Sequence, residues 1–245
     1  MWFALFIFVT GAVAAAVAAV TGFGIGSLLT PALALQVDTR IAVAAVSIPH
    51  LVGTALRFWT FRHHVDRRVF WRFGLSSASG GLIGALLQTR ASTPGLTILF
   101  GTLLMLVAAG ELTGVARRIR FHGTVAFVAG GVSGLLGGLV GNQGGIRSGA
   151  LMGFDLQKRE FVATATAVGL LVDAARMPVY LVAEGARLQA LAVPIVIATS
   201  GVIVGTLLGG RLLRIVPEPA FRAVVALLLA SLGAAMLIRG LHALL

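Results

Sequence analysis

The sequence predicts an all-α polytopic membrane protein. Hydrophobic residues make up 58% of the 245 residues, charged residues make up only 11%, and the mean hydropathy is +1.00. Soluble domains carry about 25% charged residues, so this composition excludes an ordinary soluble fold. A bilayer core about 30 Å thick needs roughly 20 apolar residues per helix. The 32 glycines favour close packing between such helices.

The excess of basic residues is interpreted as a signal of membrane orientation. The chain holds 19 Lys and Arg against 8 Asp and Glu, a formal net charge of +11. In a soluble domain this would suggest nucleic acid, but in membrane proteins basic residues collect in cytoplasmic loops. We therefore expect the lipid bilayer as a partner and no nucleic acid. Because the chain has no cysteine, thiolate metal sites are excluded, and we expect no metal and no other cofactor.

Eight apolar segments follow one another along the chain. They cover about 2–35, 41–61, 69–88, 94–113, 123–154, 160–182, 189–209 and 220–239. The first lacks the basic leader of a cleaved signal peptide, so it is interpreted as a membrane segment. The first and fifth are too long for one crossing and too short for two, and glycines interrupt both, at 22–26 and 141–145. Each therefore predicts a helix that unwinds in the membrane, either as a re-entrant hairpin or as a pair of short helices.

The two interruptions fall at corresponding places in an internal duplication. A shift of 119 positions pairs Gly22 with Gly141, Gly26 with Gly145, Arg40 with Arg159, and Arg57 with Arg176. We therefore predict two transmembrane repeats, 1–118 and 119–245, within one integrated membrane domain. Each repeat has a glycine-broken first element followed by three spanning helices.

The basic residues outside the apolar cores predict how the repeats are oriented. If both broken segments were full crossings, the repeats would be parallel, and these 16 residues would divide as 9 against 7 between the two sides. If the broken segments return to the side they entered, the second repeat is inverted and the division becomes 12 against 4. The positive-inside rule favours the inverted arrangement, with the N-terminus outside. Inverted repeats with matching broken helices are typical of secondary transporters that bind substrate near the midplane.

Three arginines remain inside apolar segments, namely Arg57, Arg147 and Arg176. A buried arginine costs about 2.5 kcal/mol or more in hydrocarbon, so it normally faces a partner or an aqueous cavity. Arg57 has snorkelling to the membrane surface as an alternative to anion contact. Arg176 has an ion pair with Asp173, three residues earlier on the same helical face.

Arg147 follows the second break directly and falls in the first turn of the predicted half-helix. A helix N-terminus repels cations and attracts anions, so an arginine there indicates a site occupied by negative charge. A contact with a lipid headgroup is the alternative.

Both breaks together predict one anion site, because they supply hydroxyl and amide donors and glycines that let the backbone approach a ligand. The predicted substrate-binding residues are Thr21, Gly22, Gly24, Gly26, Ser27, Arg57, Asn142, Gln143, Gly144, Gly145, Arg147 and Arg176. His50 and Asp173 are candidates for carrying a proton. Their alternative roles are satisfying a carbonyl freed by Pro49 and pairing with Arg176, respectively.

No catalytic constellation is evident in the sequence. A membrane enzyme acting on a lipid phosphate would need paired carboxylates, a Ser/His pair or metal ligands that face one cavity. The acids instead fall mostly in predicted loops, at Asp38, Asp66, Asp155, Glu160, Glu184 and Glu218. We therefore expect a protein that is not an enzyme, with the lipid-phosphate enzyme as the minor alternative.

The paired breaks resemble those of the TauE/SafE family, the sulfite exporter or TSUP family of membrane permeases. The motifs are Thr21-Gly-Phe-Gly-Ile-Gly26 followed by Pro31, and Gly141-Asn-Gln-Gly-Gly145 leading into Gly149 and Phe154. The resemblance covers nearly the whole chain. It implies transport of small anions, often sulfite, thiosulfate or sulfonates such as sulfoacetate. It also implies that the glycines of the first break, with residues 142–145 of the second, line the substrate path.

Export of an anion is the expected direction of transport. Because the cell interior is negative, each negative charge that moves outward gains about 2.3 kcal/mol per 100 mV. An exporter in the cell inner membrane then needs no nucleotide. Uptake would need a coupled proton or sodium ion, and His50 and Asp173 leave that alternative open.

Cysteine labelling tests the predicted inversion in this cysteine-free chain. We expect Ile119→Cys and Gln157→Cys to react with a membrane-impermeant maleimide from the same, cytoplasmic side, because the inverted model places both ends of the second broken segment there. Arg90→Cys, predicted outside, is the control for the opposite side. Labelling of positions 119 and 157 from opposite sides would contradict the inverted model.

Overall fold

The computed structural model describes residues 2–22, 24–115, 121–142, 144–212 and 217–244. These residues form α-helices joined by short turns, with no strand among them. The helices are α1 (Trp2–Thr21), α2 (Ile25–Ala34), α3 (Thr39–Phe61), α4 (Arg67–Gln88), α5 (Thr93–Thr113), α6 (Gly123–Val140), α7 (Gly144–Leu151), α8 (Lys158–Ala190), α9 (Ala192–Leu212) and α10 (Glu218–His242). Single 3-10 turns follow α3 and α7, at Arg62–His64 and Met152–Phe154.

Seven of the described helices are long and apolar enough to cross a membrane: α1, α3, α5, α6, α8, α9 and α10. This confirms the predicted multi-pass helical class. The linker arginines at 117, 118 and 120 lie outside the described residues.

Each predicted broken segment is a long helix followed by a short one. Helices α1 and α6 have 20 and 18 residues, whereas α2 and α7 have 10 and 8. At 1.5 Å per residue, α1 and α6 each reach roughly the thickness of a bilayer core. The break therefore follows a helix of spanning length, and the expectation of two short helices is wrong for the first member of each pair.

The helices recur at a regular interval along the chain. Helices α2 and α7 begin at residues 25 and 144, and α3 and α8 at 39 and 158, so both pairs are 119 residues apart. The helix contacts agree with this correspondence. Helix α1 packs against α9, and their counterparts α6 and α4 pack against each other. Helices α3 and α8, which correspond to each other, are in contact, and so are α5 and α10. The repeat boundaries and the inverted orientation stay predictions.

Small residues allow the closest helix contacts. A Cβ on Gly84 of α4 would overlap the backbone of Leu135 in α6, and a Cβ on Gly205 of α9 would overlap the backbone of Ala12 in α1. Close backbone approach through small residues is how membrane helices gain packing energy.

Several acids cap helices rather than occupying free loops. The carboxylates of Asp38 and Asp66 accept hydrogen bonds from the backbone N–H of Ile41 (3.0 Å) and Val69 (2.8 Å), which satisfies N–H groups that a helix start leaves free. Glu160 belongs to a capping box with Gln157 at the start of α8. The expectation that Glu160, Glu184 and Glu218 lie in loops is wrong, because α8 and α10 include them.

Candidate functional site

The two glycine breaks meet inside the protein. Gly26, in the first turn of α2, packs so closely on the carbonyl oxygen of Gly141 that a Cβ would overlap it. The Ser27 hydroxyl donates to Oδ1 of Asn142 over 3.2 Å. Gly141 ends α6 in the left-handed region, with φ of 74°, a conformation that favours glycine. The starts of α2 and α7, 119 residues apart in sequence, therefore lie beside each other.

A small cavity opens where the breaks meet. Its wall is formed by Gly24, Gly26, Ser27, His50, Gly141, Asn142, Gly144 and Arg147. All of these except Gly141 are candidates that the sequence predicts for the site. Gly141 was missed as a wall residue, although the shift of 119 that pairs it with Gly22 marks it as part of the break.

The remaining candidates lie near the cavity or outside the described residues. Thr21 is the last residue of α1, Gly22 follows it, and Gly145 lies in the first turn of α7. Gln143 and the side chain of Thr21 lie outside what the structure describes.

Arg147 brings hydrogen-bond donors to the cavity without an acceptor to match them. It is the fourth residue of α7, as the sequence predicts, and is 4% exposed. Its Nε and Nη1, and Nδ2 of Asn142, have no hydrogen-bond partner among the described residues. A buried donor without a partner costs about 1–3 kcal/mol, and more when it is charged. The same place holds two helix starts, whose first N–H groups have no partner within their own helix.

Arg57 and Arg176 hold the ends of the helices that precede the breaks. Nη1 of Arg57 donates to the carbonyl oxygen of Ala18 over 2.6 Å, and Nη1 of Arg176 donates to that of Gly137. The two contacts correspond under the shift of 119, and both carbonyls lie in the last turn of their helix. A cation is favourable at a helix C-terminus.

These contacts decide where the two arginines lie. Arg57 is only 8% exposed and binds α1 inside the protein, so its snorkelling alternative is wrong. Neither Arg57 nor Arg176 belongs to the cavity wall that the described residues form. Both instead contact the last turns of the helices that precede the breaks.

The fully buried carboxylate of Asp173 joins two other candidate residues, His50 and Arg176. Asp173 Oδ1 accepts from Arg176 Nε at 3.1 Å and lies 2.8 Å from its Nη2, while Asp173 Oδ2 lies 2.7 Å from Nδ1 of His50. The predicted Arg176–Asp173 pair is therefore present. Because a carboxylate accepts, Nδ1 of His50 carries the hydrogen in this contact. His50 and Asp173 form one unit across α3 and α8.

The sequence reasoning missed two polar contacts of this network. The hydroxyl of Thr54 accepts a hydrogen bond from Nη2 of Arg57 over 3.4 Å. The sequence could have indicated this contact, because Thr54 corresponds to Asp173 under the shift of 119. Tyr180 donates to the carbonyl of Gly138 in α6, and no sequence pattern indicates it. No group of His, Asp or Glu among the described residues is arranged to hold a metal ion.

These features define a multi-pass helical membrane protein with a donor-rich cavity between two broken helices, the arrangement expected of a transporter. Residues 7–236 match the family model described as Sulfite exporter TauE/SafE, so the chain belongs to that family of membrane transporters. The match confirms the resemblance that the break motifs indicate. No curated protein and no solved structure matches the chain.

Removing Arg176 should destabilise the protein more than removing Arg57. Arg176→Gln leaves Asp173 buried without its cationic partner, and breaking such a pair costs about 3–5 kcal/mol. Arg57→Gln removes hydrogen bonds to a carbonyl and a hydroxyl only, for which we expect about 1.5–3 kcal/mol. Thermal unfolding in detergent measures both, with Arg90→Gln at an exposed position as the matched control. An unfolding midpoint of Arg176→Gln equal to that of Arg90→Gln would contradict the structural role.

Proposed function

We propose that this protein is a secondary transporter that exports a small sulfur-containing oxyanion, such as sulfite, thiosulfate or an organosulfonate, across the cell inner membrane. Membership in a family described as sulfite exporters supports the class of substrate. Transport proceeds by alternating access between two inverted repeats. The protein has no catalytic activity of its own in this proposal, and its partners are the anion and the bilayer.

The observation that carries the proposal is the set of unmatched donors at the cavity. Arg147 Nε and Nη1 and Asn142 Nδ2 are buried, and the structure gives none of them an acceptor among the described residues. An oxyanion offers several acceptor oxygens around one negatively charged centre, and hydrogen bonds from a guanidinium to such an ion are about twice as strong as neutral ones. A bound oxyanion would therefore supply charge-assisted acceptors to buried donors that have none among the described residues.

The balance of charge around the cavity supports the same conclusion. Arg57, Arg147 and Arg176 are all buried, and all three interact electrostatically with the single carboxylate of Asp173. That carboxylate is already bonded to Arg176. The cluster therefore carries a positive excess, which is costly in a membrane unless an anion enters.

The packing of the two breaks supports alternating access. Gly26 and Gly141 touch through backbone, and among the described residues a hydrogen bond from Ser27 to Asn142 joins the two halves at this point. The cavity therefore lies on the boundary between the two proposed repeats, where a rocking movement of one repeat against the other would change access to it. The ligand then stays at this boundary while access alternates around it.

Replacing Arg147 should abolish most of the transport. Arg147→Ala removes the charged fork, and losing a charged hydrogen bond of about 1.5–3 kcal/mol corresponds to roughly a 10- to 150-fold loss of affinity. Arg147→Lys keeps the charge but not the fork, and should lie between the parent and Arg147→Ala. The measurement is sulfite and thiosulfate flux in proteoliposomes.

Arg90→Ala is the matched control, because it removes an exposed arginine and should leave the flux unchanged. Each variant is first checked for the parent's thermal unfolding. Parent-like flux in a folded Arg147→Ala protein would remove the anion-site assignment.

Proton-coupled import is the second candidate function, and one observation favours it. His50 belongs to the cavity wall and contacts buried Asp173 over 2.7 Å, so a titratable group lies at the proposed anion site. A proton carried with the anion would reduce the charge that crosses the membrane. Import against the membrane potential would then become possible.

Ion gradients across proteoliposomes separate the two candidates. Thiosulfate keeps its charge near neutral pH, so it reports coupling without a change in the substrate. For uncoupled export we expect flux to follow an imposed potassium–valinomycin potential, with thiosulfate leaving the negative compartment. A pH gradient alone should then produce no accumulation. Accumulation driven by the pH gradient in the parent, and lost in His50→Gln, would contradict uncoupled export.

A further inference from the structure

The guanidinium of Arg147 rests directly on a glycine of another helix. A Cβ built on Gly169, in the middle of α8, would lie 2.8 Å from Nη1, 3.4 Å from Cζ and 3.5 Å from Nη2 of Arg147. All three of these nearest atoms belong to that guanidinium. Gly169 thus differs from glycines such as Gly84, whose missing Cβ makes room for the backbone of a neighbouring helix.

Backbone conformation gives no reason for a glycine at this position. Gly169 lies inside a regular helix and is not among the described glycines with positive φ. A glycine in a helix interior costs about 0.5–1 kcal/mol relative to alanine. The space that it leaves for Arg147 is the feature of the structure that accounts for it.

The duplication strengthens this interpretation. Under the shift of 119, Gly169 corresponds to His50, which lies on α3 and forms part of the cavity wall. Arg147 itself corresponds to Leu28, a buried apolar residue of α2. The same position therefore supplies an imidazole in the first half and room for a guanidinium in the second.

We propose that Gly169 is a positioning residue that fixes the guanidinium of Arg147 in the cavity. This inference rests on the proposed function, in which Arg147 binds the transported oxyanion. A guanidinium binds an oxyanion through a planar fork, so its value depends on orientation as well as charge. A side chain at 169 would displace that fork while leaving the charge in the protein.

Gly169→Ala tests the inference because its clash is with the mobile end of a long side chain. The arginine can shift without disturbing the helix backbone, so we expect thermal unfolding at or slightly above the parent's midpoint. We expect KM for sulfite and thiosulfate to rise about tenfold, since a displaced binding group loses orientation, with a smaller change in the maximal rate. Gly185→Ala is the matched control, because Gly185 lies on the same helix with nothing within 4 Å of its missing Cβ.

Repeating Gly169→Ala in the Arg147→Lys protein distinguishes a positioning role of Gly169 from a role in helix packing. Lysine ends in a single ammonium and lacks the branch that Nη1 forms, so Gly169→Ala should change KM less than twofold when Arg147→Lys is also present. Such non-additivity is what direct contact between two positions produces. If the role of Gly169 were purely structural, Gly169→Ala would raise KM by the same factor with Arg147 and with Arg147→Lys.

The outcomes separate this inference from the proposed function. Loss of transport in Arg147→Ala together with a KM of Gly169→Ala equal to that of Gly185→Ala would overturn the positioning role alone. Equal costs of Gly169→Ala in the two backgrounds would also overturn it. Parent-like transport by Arg147→Ala would overturn the anion site, and with it the inference.

Discussion

The rest of the structure depends on the contact between an arginine and the last turn of a helix, which is made once at the end of α1 and once at the end of α6. Helices α1 and α6 end at the breaks, where the backbone N–H groups of Gly22 and Gly141 donate to the carbonyls of Ala18 and Gly137. The last carbonyls of a helix carry partial negative charge, which favours a cation beside them. Arg57 and Arg176 donate to Ala18 and Gly137 in these last turns, so each break is stabilised by an arginine from the third helix of its own half. The positive charge of each buried arginine and the partial negative charge of the helix end therefore stabilise each other.

Both halves have an arginine bound to a helix end, but the charge of that arginine is balanced differently in each half. Three positions before the arginine stands Thr54 in the first half and Asp173 in the second, and each is hydrogen-bonded to its arginine. The threonine leaves the charge of Arg57 in place, whereas the aspartate neutralises Arg176 and contacts His50. The two predicted repeats therefore differ by one carboxylate, so the site is asymmetric although the helices around it recur at an interval of 119 residues.

Much of the fold was predictable from the sequence, because its signals are local or periodic. Apolar length gave the helical class, and the glycines at 22–26 and 141–145 located both breaks. The lengths of α1 and α6 were not predictable, because apolar content alone does not show where within a segment a helix stops. At the site, position inside apolar segments and the spacing of 119 residues predicted that Arg57 and Arg176 were unusual. The spacing of three residues also predicted the Arg176–Asp173 pair. Both arginines bind backbone carbonyls as well, and a carbonyl has no sequence signature, so their contacts with the helix ends could not be predicted.

Arg147 differs from the other two arginines because no structural contact of this kind is found for its Nε and Nη1 in the part of the chain that the structure describes. It begins a helix, where free N–H groups repel a cation, and its Nε and Nη1 have no acceptor among the described residues. A site at which helix geometry, desolvation and unmet donors all disfavour the same cation is unfavourable when empty, so an arginine there needs a counter-charge. The counter-charge need not be permanent: a fixed acid beside Arg147 would neutralise the site and weaken its hold on a mobile anion. Among the described residues the carboxylate of this network, Asp173, pairs with Arg176 at the end of α6, which in the proposed mechanism leaves Arg147 available to a transported ion.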